Sequence, residues 1–164
     1  GIRGDRLVRF SPVKIKGRDI LRGWLYHCAV NGIDEASSCS TVCVFKDAVA
    51  AFEPVTRSQA RQVLGELVEL FHRGNEKPLL FFPGTSWEYA SAILTGKDEK
   101  KAYGSAKRQW EGSDFNGGYG GDMNDSSVSL CFDEKAISSK EFRNHAMNIY
   151  TPVFEHLSVD TDGI

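Results

Sequence analysis

The sequence predicts an α+β fold in a single domain spanning residues 1–164. Apolar residues recur at helical spacing in several stretches, and some of these stretches are preceded by Ser or Thr with Glu or Gln three residues later. Short β-branched runs lie between turn residues, which predicts strands. No repeat, low-complexity tract or linker divides the chain, and its length suits one domain.

Composition and charge exclude some classes of protein. No apolar run approaches the roughly 18 residues that a membrane span needs, so we expect no membrane protein. The net charge is -2 with Lys and Arg scattered along the chain, so charge alone does not imply nucleic-acid binding, although a local patch is compatible with it. The chain starts without Met or a signal sequence, which predicts a fragment of a larger cytoplasmic protein.

The cysteines contain no C-x-x-C pair, which favours reduced, buried thiols in a cytosolic core. A zinc or iron–sulfur site built from all of them is the alternative. The residues concerned are Cys28, Cys39, Cys43 and Cys131.

The first part of the chain predicts one helix and a β-hairpin. Leu7–Ile15 alternates in part and contains Pro12, which favours an edge strand or a bulge. Apolar residues recur every three or four positions over Arg18–Asn31, which predicts an amphipathic helix. The runs Thr41–Phe45 and Val49–Val55 flank a turn, which predicts a hairpin whose first strand lies inside the sheet.

Three later helices are predicted from capping pairs, in which two side chains accept hydrogen bonds from each other's backbone N–H. The first helix is expected to end at Gly74 and the second at Gly96, while the third continues across Pro152 to Leu157. The pairs are Thr56 with Gln59, Thr85 with Glu88, and Ser138 with Glu141.

The remaining stretches are shorter or more polar. Leu79–Phe82 and Val128–Phe132 are too short for helices and predict strands, the first buried on both faces. Asp98–Trp110 predicts a solvated helix anchored by its aromatic residues. Residues 114–127 are glycine-rich and predict a flexible loop, and residues 158–164 predict a disordered tail.

The stretch Glu66–Ala90 carries the most distinctive motif, in which a helix with a basic-Gly turn precedes Pro-Leu-Leu-Phe-Phe-Pro-Gly-Thr-Ser. It resembles the end of RecC, the gamma subunit of exodeoxyribonuclease V, where Pro-Leu-x-Phe-Phe-Pro-x-(Thr/Ser)-Ser follows such a helix. Ala106–Gly112 and the final helix with Pro152 fit the same tail. The resemblance therefore extends from about Leu7 to His156.

The resemblance implies the C-terminal domain of a helicase–nuclease subunit that takes part in the repair of double-strand DNA breaks. In that family the domain has a core similar to PD-(D/E)XK nucleases but does not cut DNA, so no cofactor is expected. The implied partners are RecB-like and RecD-like subunits, and DNA reached through the assembled complex.

The residues themselves bear on the missing activity. A Mg²⁺-dependent nuclease of this fold needs Asp followed by Asp/Glu-x-Lys on a hairpin, so that acids hold the ion and a lysine positions the water. The predicted hairpin offers Asp47 and Glu53, but Val55 stands at the lysine position and Pro54 distorts the strand. We therefore expect no catalytic residue. An active Mg²⁺-dependent nuclease that uses Asp47 and Glu53 is the alternative.

Partner or DNA contacts are predicted at exposed aromatic residues beside cations, because interface hot spots favour both. For Trp110 the alternative is packing against its own helix. A third function, a free-standing DNA-binding domain, would use a basic face over Lys97–Arg108. The predicted contact residues are Arg108, Trp110 and Tyr119.

Overall fold

The computed structural model describes residues 2–3, 5–33, 39–112 and 120–161. The chain divides into two compact units, residues 1–75 with 153–164 and residues 76–152. The first unit contains a β-sheet, and the described part of the second contains helices, so the predicted α+β class is confirmed. The single domain over residues 1–164 and the PD-(D/E)XK-like core stay predictions.

The first unit is built on a five-stranded mixed sheet. In order across the sheet, the strands are Ile2–Arg3 (β1), Arg6–Phe10 (β2), Ser40–Val44 (β3), Val49–Phe52 (β4) and Leu157–Asp160 (β5). β2 and β3 pair in parallel, and the other neighbours pair antiparallel. The predicted hairpin of β3 and β4 is confirmed, with β3 inside the sheet. The prediction of an edge strand or a bulge over Leu7–Ile15 is correct in part: residues 7–10 form a strand that ends before Pro12, and β1 pairs with its outer side at Arg6 and Leu7.

Helix α1 (Gly17–Asn31) connects β2 to β3 and confirms the predicted amphipathic helix. It packs against β3 and β4 with a buried face that includes Ile20 and Trp24. Gly23 allows this close approach, since a Cβ atom there would lie 3.0 Å from Cys43 Sγ and 3.1 Å from the Phe52 ring. The helix therefore covers the buried side chains of the sheet's inner strands.

Strand β5 replaces part of the predicted disordered tail. Leu157 lies opposite Phe52 and Val159 opposite Ala50, so the prediction is wrong for residues 158–160. Unpaired N–H and C=O groups along β4 would otherwise form an open sheet edge, and β5 satisfies them. Residues 162–164 lie outside the described part of the chain.

Helix α2 (Arg57–Glu76) begins at the first predicted capping pair. The backbone nitrogen of Gln59 donates to Thr56 Oγ1 at 3.2 Å, and that of Thr56 donates to Gln59 Oε1 at 3.0 Å. Both donors at the start of the helix are thereby satisfied, and the pair is confirmed. The helix continues through Gly74, where the sequence predicted its end.

The second unit contains α3 (Pro83–Leu94), α4 (Glu99–Glu111), α5 (Ser126–Cys131) and the first part of α6 (Lys140–His156), whose residues 153–156 belong to the first unit. Aromatic rings fill its core: the ring centroids of Phe82 and Trp110 lie 4.5 Å apart, and those of Phe82 and Phe132 lie 5.0 Å apart. Other buried members of this core are Tyr89, Ala102, Ala106, Ile137, Phe142 and Ala146.

Helix α3 starts at Pro83, where the sequence predicted a helix start, but not through the predicted capping pair. Thr85 lies in the first turn, and its backbone nitrogen donates to Asp122 Oδ2 instead of to Glu88. An acid from a distant part of the chain thus satisfies a donor that the helix leaves free. The third pair is also wrong by one residue, because Ser139 Oγ accepts from the backbone nitrogen of Phe142 at 3.0 Å.

Two predicted strands are wrong. Leu79–Phe82 lies outside any strand, and only Phe82 is buried, because the described part of its unit contains no sheet to pair with. Most of Val128–Phe132 lies in α5, because Asp125 Oδ1 accepts from the backbone nitrogen of Ser127 at 2.8 Å and starts a helix there.

The end of the predicted flexible loop over residues 114–127 is ordered into short elements. A 3-10 turn occupies Asp122–Asn124, and α5 begins at Ser126. Residues 126–127 belong to α5 and not to a loop, the flexibility of the loop stays a prediction, and residues 114–119 lie outside the described residues.

Candidate functional site

The predicted contact residues on α4 have different environments. Trp110 is only 1% exposed, in the core of the second unit, so the prediction of an exposed aromatic residue is wrong. Ala102, Ala106 and Trp110 share one face of α4 at four-residue spacing, and that face is buried. Arg108 is exposed, and its Nη2 donates to Ser105 Oγ at 3.2 Å. Its contact with a partner stays a prediction, and Tyr119 lies outside the described residues.

The two acids of the nuclease alternative lie at opposite ends of β4. Asp47 precedes the strand and Glu53 follows it, and a rise of about 3.3 Å per residue separates them by more than about 10 Å. One Mg²⁺ takes oxygen ligands at about 2.1 Å and does not bridge that span. Asp47 Oδ1 instead accepts from the backbone nitrogen of Ile15 at 2.8 Å. This separation argues against a single metal site made from Asp47 and Glu53.

Metal-ligating side chains do not gather elsewhere in the described ranges. Within these residues there is no group of three or more His, Cys, Asp or Glu side chains placed to hold an ion. Of the cysteines, Cys28, Cys39 and Cys43 are buried and Cys131 is exposed, so the buried-thiol prediction is correct for the first three and wrong for the last.

His27 is buried where α1 packs on the sheet. Its Nδ1 atom lies 2.9 Å from Thr41 Oγ1, and its ring stacks on Trp24 at 5.3 Å. Burial, assisted by the nearby charge of His156, lowers the pKa of His27 to about 4. His27 is therefore a neutral packing residue that joins α1 to β3.

Cations cluster at the edge of the sheet where β2 and β3 end. The loop after β2 is bonded to this edge, since Ser11 N donates to Val44 O at 2.9 Å and Lys46 N donates to Val13 O at 3.0 Å. Five of the six cations are exposed and the sixth, Arg9, is half-buried. We name this cluster the basic edge; it consists of Arg9, Lys14, Lys16, Arg18, Arg22 and Lys46.

The net charge of the whole chain does not reveal the basic edge, because acidic residues elsewhere balance its positive charge. The first 26 residues contain seven Lys and Arg against two Asp, whereas the whole chain contains 20 against 22 Asp and Glu. No member of the basic edge forms an ion pair with another residue in the described ranges. Counting charge by segment would have found this excess.

A cavity of about 160 Å³ opens at the basic edge. Arg9 is held beside it, because its Cζ atom lies 3.7 Å from the ring centroid of Tyr26. Burial raises the pKa of the Cys43 thiol in the wall, so this group is a poor nucleophile. The cavity is lined by Arg9, Phe10, Ser11, Asp19, Arg22, Cys43, Val44 and Phe45.

A second candidate surface lies on α2. Apolar residues recur there at helical spacing, and their burial decreases along the helix: Ala60 is fully buried, whereas Val68 is 53% and Phe71 is 68% exposed. Leu64 and Leu67, which lie between Ala60 and Val68 along the helix, are half-buried. We name Leu64, Leu67, Val68 and Phe71 the α2 stripe.

The comparison with known families decides which kind of protein carries these surfaces. The model of the RecC C-terminal domain matches residues 1–94, more than half of the chain. The chain belongs to this family. The predicted resemblance to RecC is therefore confirmed, and the match includes the distinctive segment Pro78–Trp87. Among curated proteins no match was found.

Membership in the RecC family makes the chain a component of a RecBCD-type complex with other subunits, belonging to exodeoxyribonuclease V and DNA repair. The basic edge and the α2 stripe both fall within the matched residues 1–94. In the part of the chain that the structure describes, no helix combines the length and the apolar character needed to span a bilayer.

Proposed function

We propose that this RecC C-terminal domain is a non-catalytic, nuclease-like scaffold in a cytoplasmic RecBCD-type helicase–nuclease. It docks on a RecB-like subunit, with a RecD-like subunit as a further partner, and helps to guide DNA during double-strand-break repair. The exposed α2 stripe is the observation that carries this proposal.

The α2 stripe has the character of a docking surface. Soluble proteins rarely leave a contiguous apolar patch in water unless it is an interaction site. The open end of the stripe presents Val68 and Phe71, with Leu64 and Leu67 beside them. Glu66, on the same helix, is exposed and gives the patch a polar rim. A helix face of this kind fits an apolar groove on another subunit.

The arrangement of acids supports a scaffold more than an enzyme. Asp47 anchors the loop at Ile15, and Glu53 lies at the far end of β4. A nuclease centre needs its acids within reach of one ion or of a pair of neighbouring ions. The domain therefore holds its partner subunits and the DNA in place, and other parts of the complex cleave the DNA.

Co-purification with the partner subunits tests the scaffold role. The double variant Val68→Asp with Phe71→Asp should reduce recovery of a co-expressed RecB-like subunit about tenfold or more, because two charges would enter an apolar interface. The matched control is Leu130→Asp on α5, which is 87% exposed and lies outside the stripe. It should leave recovery unchanged.

Three results would contradict the scaffold role. Equal recovery with the stripe variant and the wild type would remove the α2 stripe as the docking surface. Self-association of the chain that the stripe variant abolishes would assign the stripe to a second copy. Mg²⁺-dependent cleavage of DNA that is lost in Glu53→Ala would replace the scaffold with an enzyme.

A further inference from the structure

Helix α2 lies at the surface, and little of its length is covered. Of its 20 residues only Ala60 is buried. Leu64 and Leu67 are half-buried, and Val68 and Phe71 are exposed. Helices in proteins owe most of their stability to the packing of an apolar face. The described residues therefore supply only part of the packing that this helix can make.

Gly65 lies in the middle of α2, and nothing in the described part of the chain requires a glycine there. Its φ is not positive, and a Cβ atom at this position would meet no other described atom within 4 Å outside its own helix. A glycine inside a helix is destabilising relative to alanine, because its backbone loses more entropy on folding. A contact with a second molecule would explain why the helix contains this residue.

The face of α2 that contains Gly65 has the pattern that receives another helix. One side chain of a facing helix fits into a hole between four residues at positions i, i+3, i+4 and i+7. Two such holes follow each other on α2. The first contains Gly65, which has no side chain, so this hole is deep and a partner's backbone can come close. The first hole is formed by Arg61, Leu64, Gly65 and Val68, and the second by the α2 stripe itself.

The spacing of the two holes favours a helix over a strand as the element that docks. The holes are three residues apart, which is about 4.5 Å along the helix axis. Side chains three residues apart on a second helix have the same spacing. Side chains on one face of a strand are about 6.6 Å apart and do not match it.

Charges of opposite sign flank the first hole. Arg61 lies one turn before Gly65, and Glu69 lies one turn after it. Arg61 and Glu69 are exposed, and neither forms an ion pair with a described residue. The Nε atom of Arg61 donates to Gly32 O at 3.0 Å, which holds this side chain in place. A partner with an acid beside Arg61 and a base beside Glu69 complements this pattern.

We propose that the α2 stripe receives one amphipathic helix of the docking subunit, which places a large apolar side chain in the hole at Gly65. The same helix carries an acid opposite Arg61 and a base opposite Glu69. The inference rests on the proposed docking role and adds to it the kind of element that docks and the residues that select it.

Two substitutions at Gly65 test the hole. Gly65→Ala favours the helix and should raise the unfolding midpoint temperature of the purified chain by about 2–4 °C. Gly65→Leu fills the hole and should reduce recovery of a co-expressed RecB-like subunit about tenfold, because the incoming side chain is excluded. Glu69→Lys should also reduce recovery, most strongly at low salt, because two bases would then face each other.

The matched control is Gly104 on α4, where a Cβ atom would likewise meet no other described atom within 4 Å outside its own helix. Gly104→Ala should raise the unfolding midpoint as Gly65→Ala does, and Gly104→Leu should leave recovery of the subunit unchanged. Thermal denaturation of each purified variant shows that it is folded.

Photocrosslinking in the complex identifies the element that docks. A photoreactive residue in place of His72, which is exposed and lies one turn after Val68, should crosslink to partner residues three or four positions apart. Crosslinks to every second residue of one segment would identify a strand and overturn the inference.

Other results would also overturn it: recovery equal to the wild type in Gly65→Leu or in Glu69→Lys, or equal losses in Gly65→Leu and Gly104→Leu. The stripe variant Val68→Asp with Phe71→Asp separates this inference from the docking role. A loss of recovery in the stripe variant without a loss in Gly65→Leu rejects the docked helix alone, whereas full recovery in the stripe variant rejects the docking role as well.

Discussion

Asp122 Oδ2 accepts two hydrogen bonds from Thr85, one from the backbone nitrogen at 2.8 Å and one from Oγ1 at 2.7 Å. The carboxylate thereby lies at the start of α3, where the helix dipole favours negative charge. Tyr150 completes the anchorage, because its hydroxyl donates to Pro83 O at 2.8 Å. Burial, assisted by the charge of Asp122, raises the pKa of Tyr150 and keeps this donor protonated.

Removal of the Asp122 carboxylate should destabilise the protein. Asp122→Ala leaves two donors of Thr85 without their acceptor, which we expect to cost about 2 kcal/mol of unfolding free energy. Asp122→Asn keeps an acceptor oxygen without the charge and should lose less. Urea denaturation measures both variants, and an unfolding midpoint equal to the wild type in Asp122→Ala would show that the contact contributes nothing.

Truncation of two nearby residues on α4 should change the free energy of unfolding by very different amounts. Trp110→Ala empties a buried site in the core of the second unit and should cost about 3–5 kcal/mol. Arg108→Ala removes an exposed side chain and should change stability by less than about 0.5 kcal/mol. Thermal or urea denaturation distinguishes them. A small effect in Trp110→Ala would contradict its place in the core.

Stability should depend on pH through His27. Its pKa is lowered from 6.5 to about 4, so the unfolded chain binds the proton more tightly than the folded chain. The contribution of neutral His27 to the free energy of unfolding is therefore complete above pH 6.5. It is lost as the pH falls toward 4, by about 3 kcal/mol in total.

Denaturant midpoints measured across this pH window test the assignment to His27. His27→Gln should flatten the pH dependence, whereas His72→Gln, at an exposed position on α2, should leave it as in the wild type. An unchanged slope in His27→Gln would assign the acid sensitivity to other groups.

The purified chain should not cleave labelled duplex DNA with Mg²⁺ or Mn²⁺, because Asp47 and Glu53 lie too far apart to share an ion. Product gels over a time course provide the measurement. Cleavage that persists in Glu53→Ala would indicate a contaminant, whereas cleavage lost in that variant would place Glu53 in a metal site completed by residues other than Asp47 and would contradict the scaffold role.

The sequence predicted elements whose signals are local. The spacing of Ile20, Trp24 and Cys28 is sufficient for α1, because one helix face repeats along the chain whatever it packs on. The pair Thr56 and Gln59 likewise needs only its own turn. The strand prediction for Leu79–Phe82 was wrong because an apolar run becomes a strand only where another strand lies beside it.

The candidate sites depended on contacts that a linear pattern does not contain. For Trp110 the sequence left two interpretations, an exposed contact beside cations and a packed side chain; the structure supports packing, because the ring lies in the core beside Phe82. The helical spacing of the α2 stripe is visible in the sequence, whereas the exposure of Val68 and Phe71 is visible only in the structure. Sequence distance likewise hid Asp122 as the acid at the start of α3.

The position of β5 links the two ends of the described chain. Residues 157–160 complete a sheet whose other strands lie within residues 2–52. During translation β5 is therefore synthesised long after β4, the strand with which it pairs. During synthesis β4 has an open edge, which is the type of edge that pairs with other chains. A fragment cut at residue 94, where the family match ends, would keep that edge permanently and would be prone to aggregate.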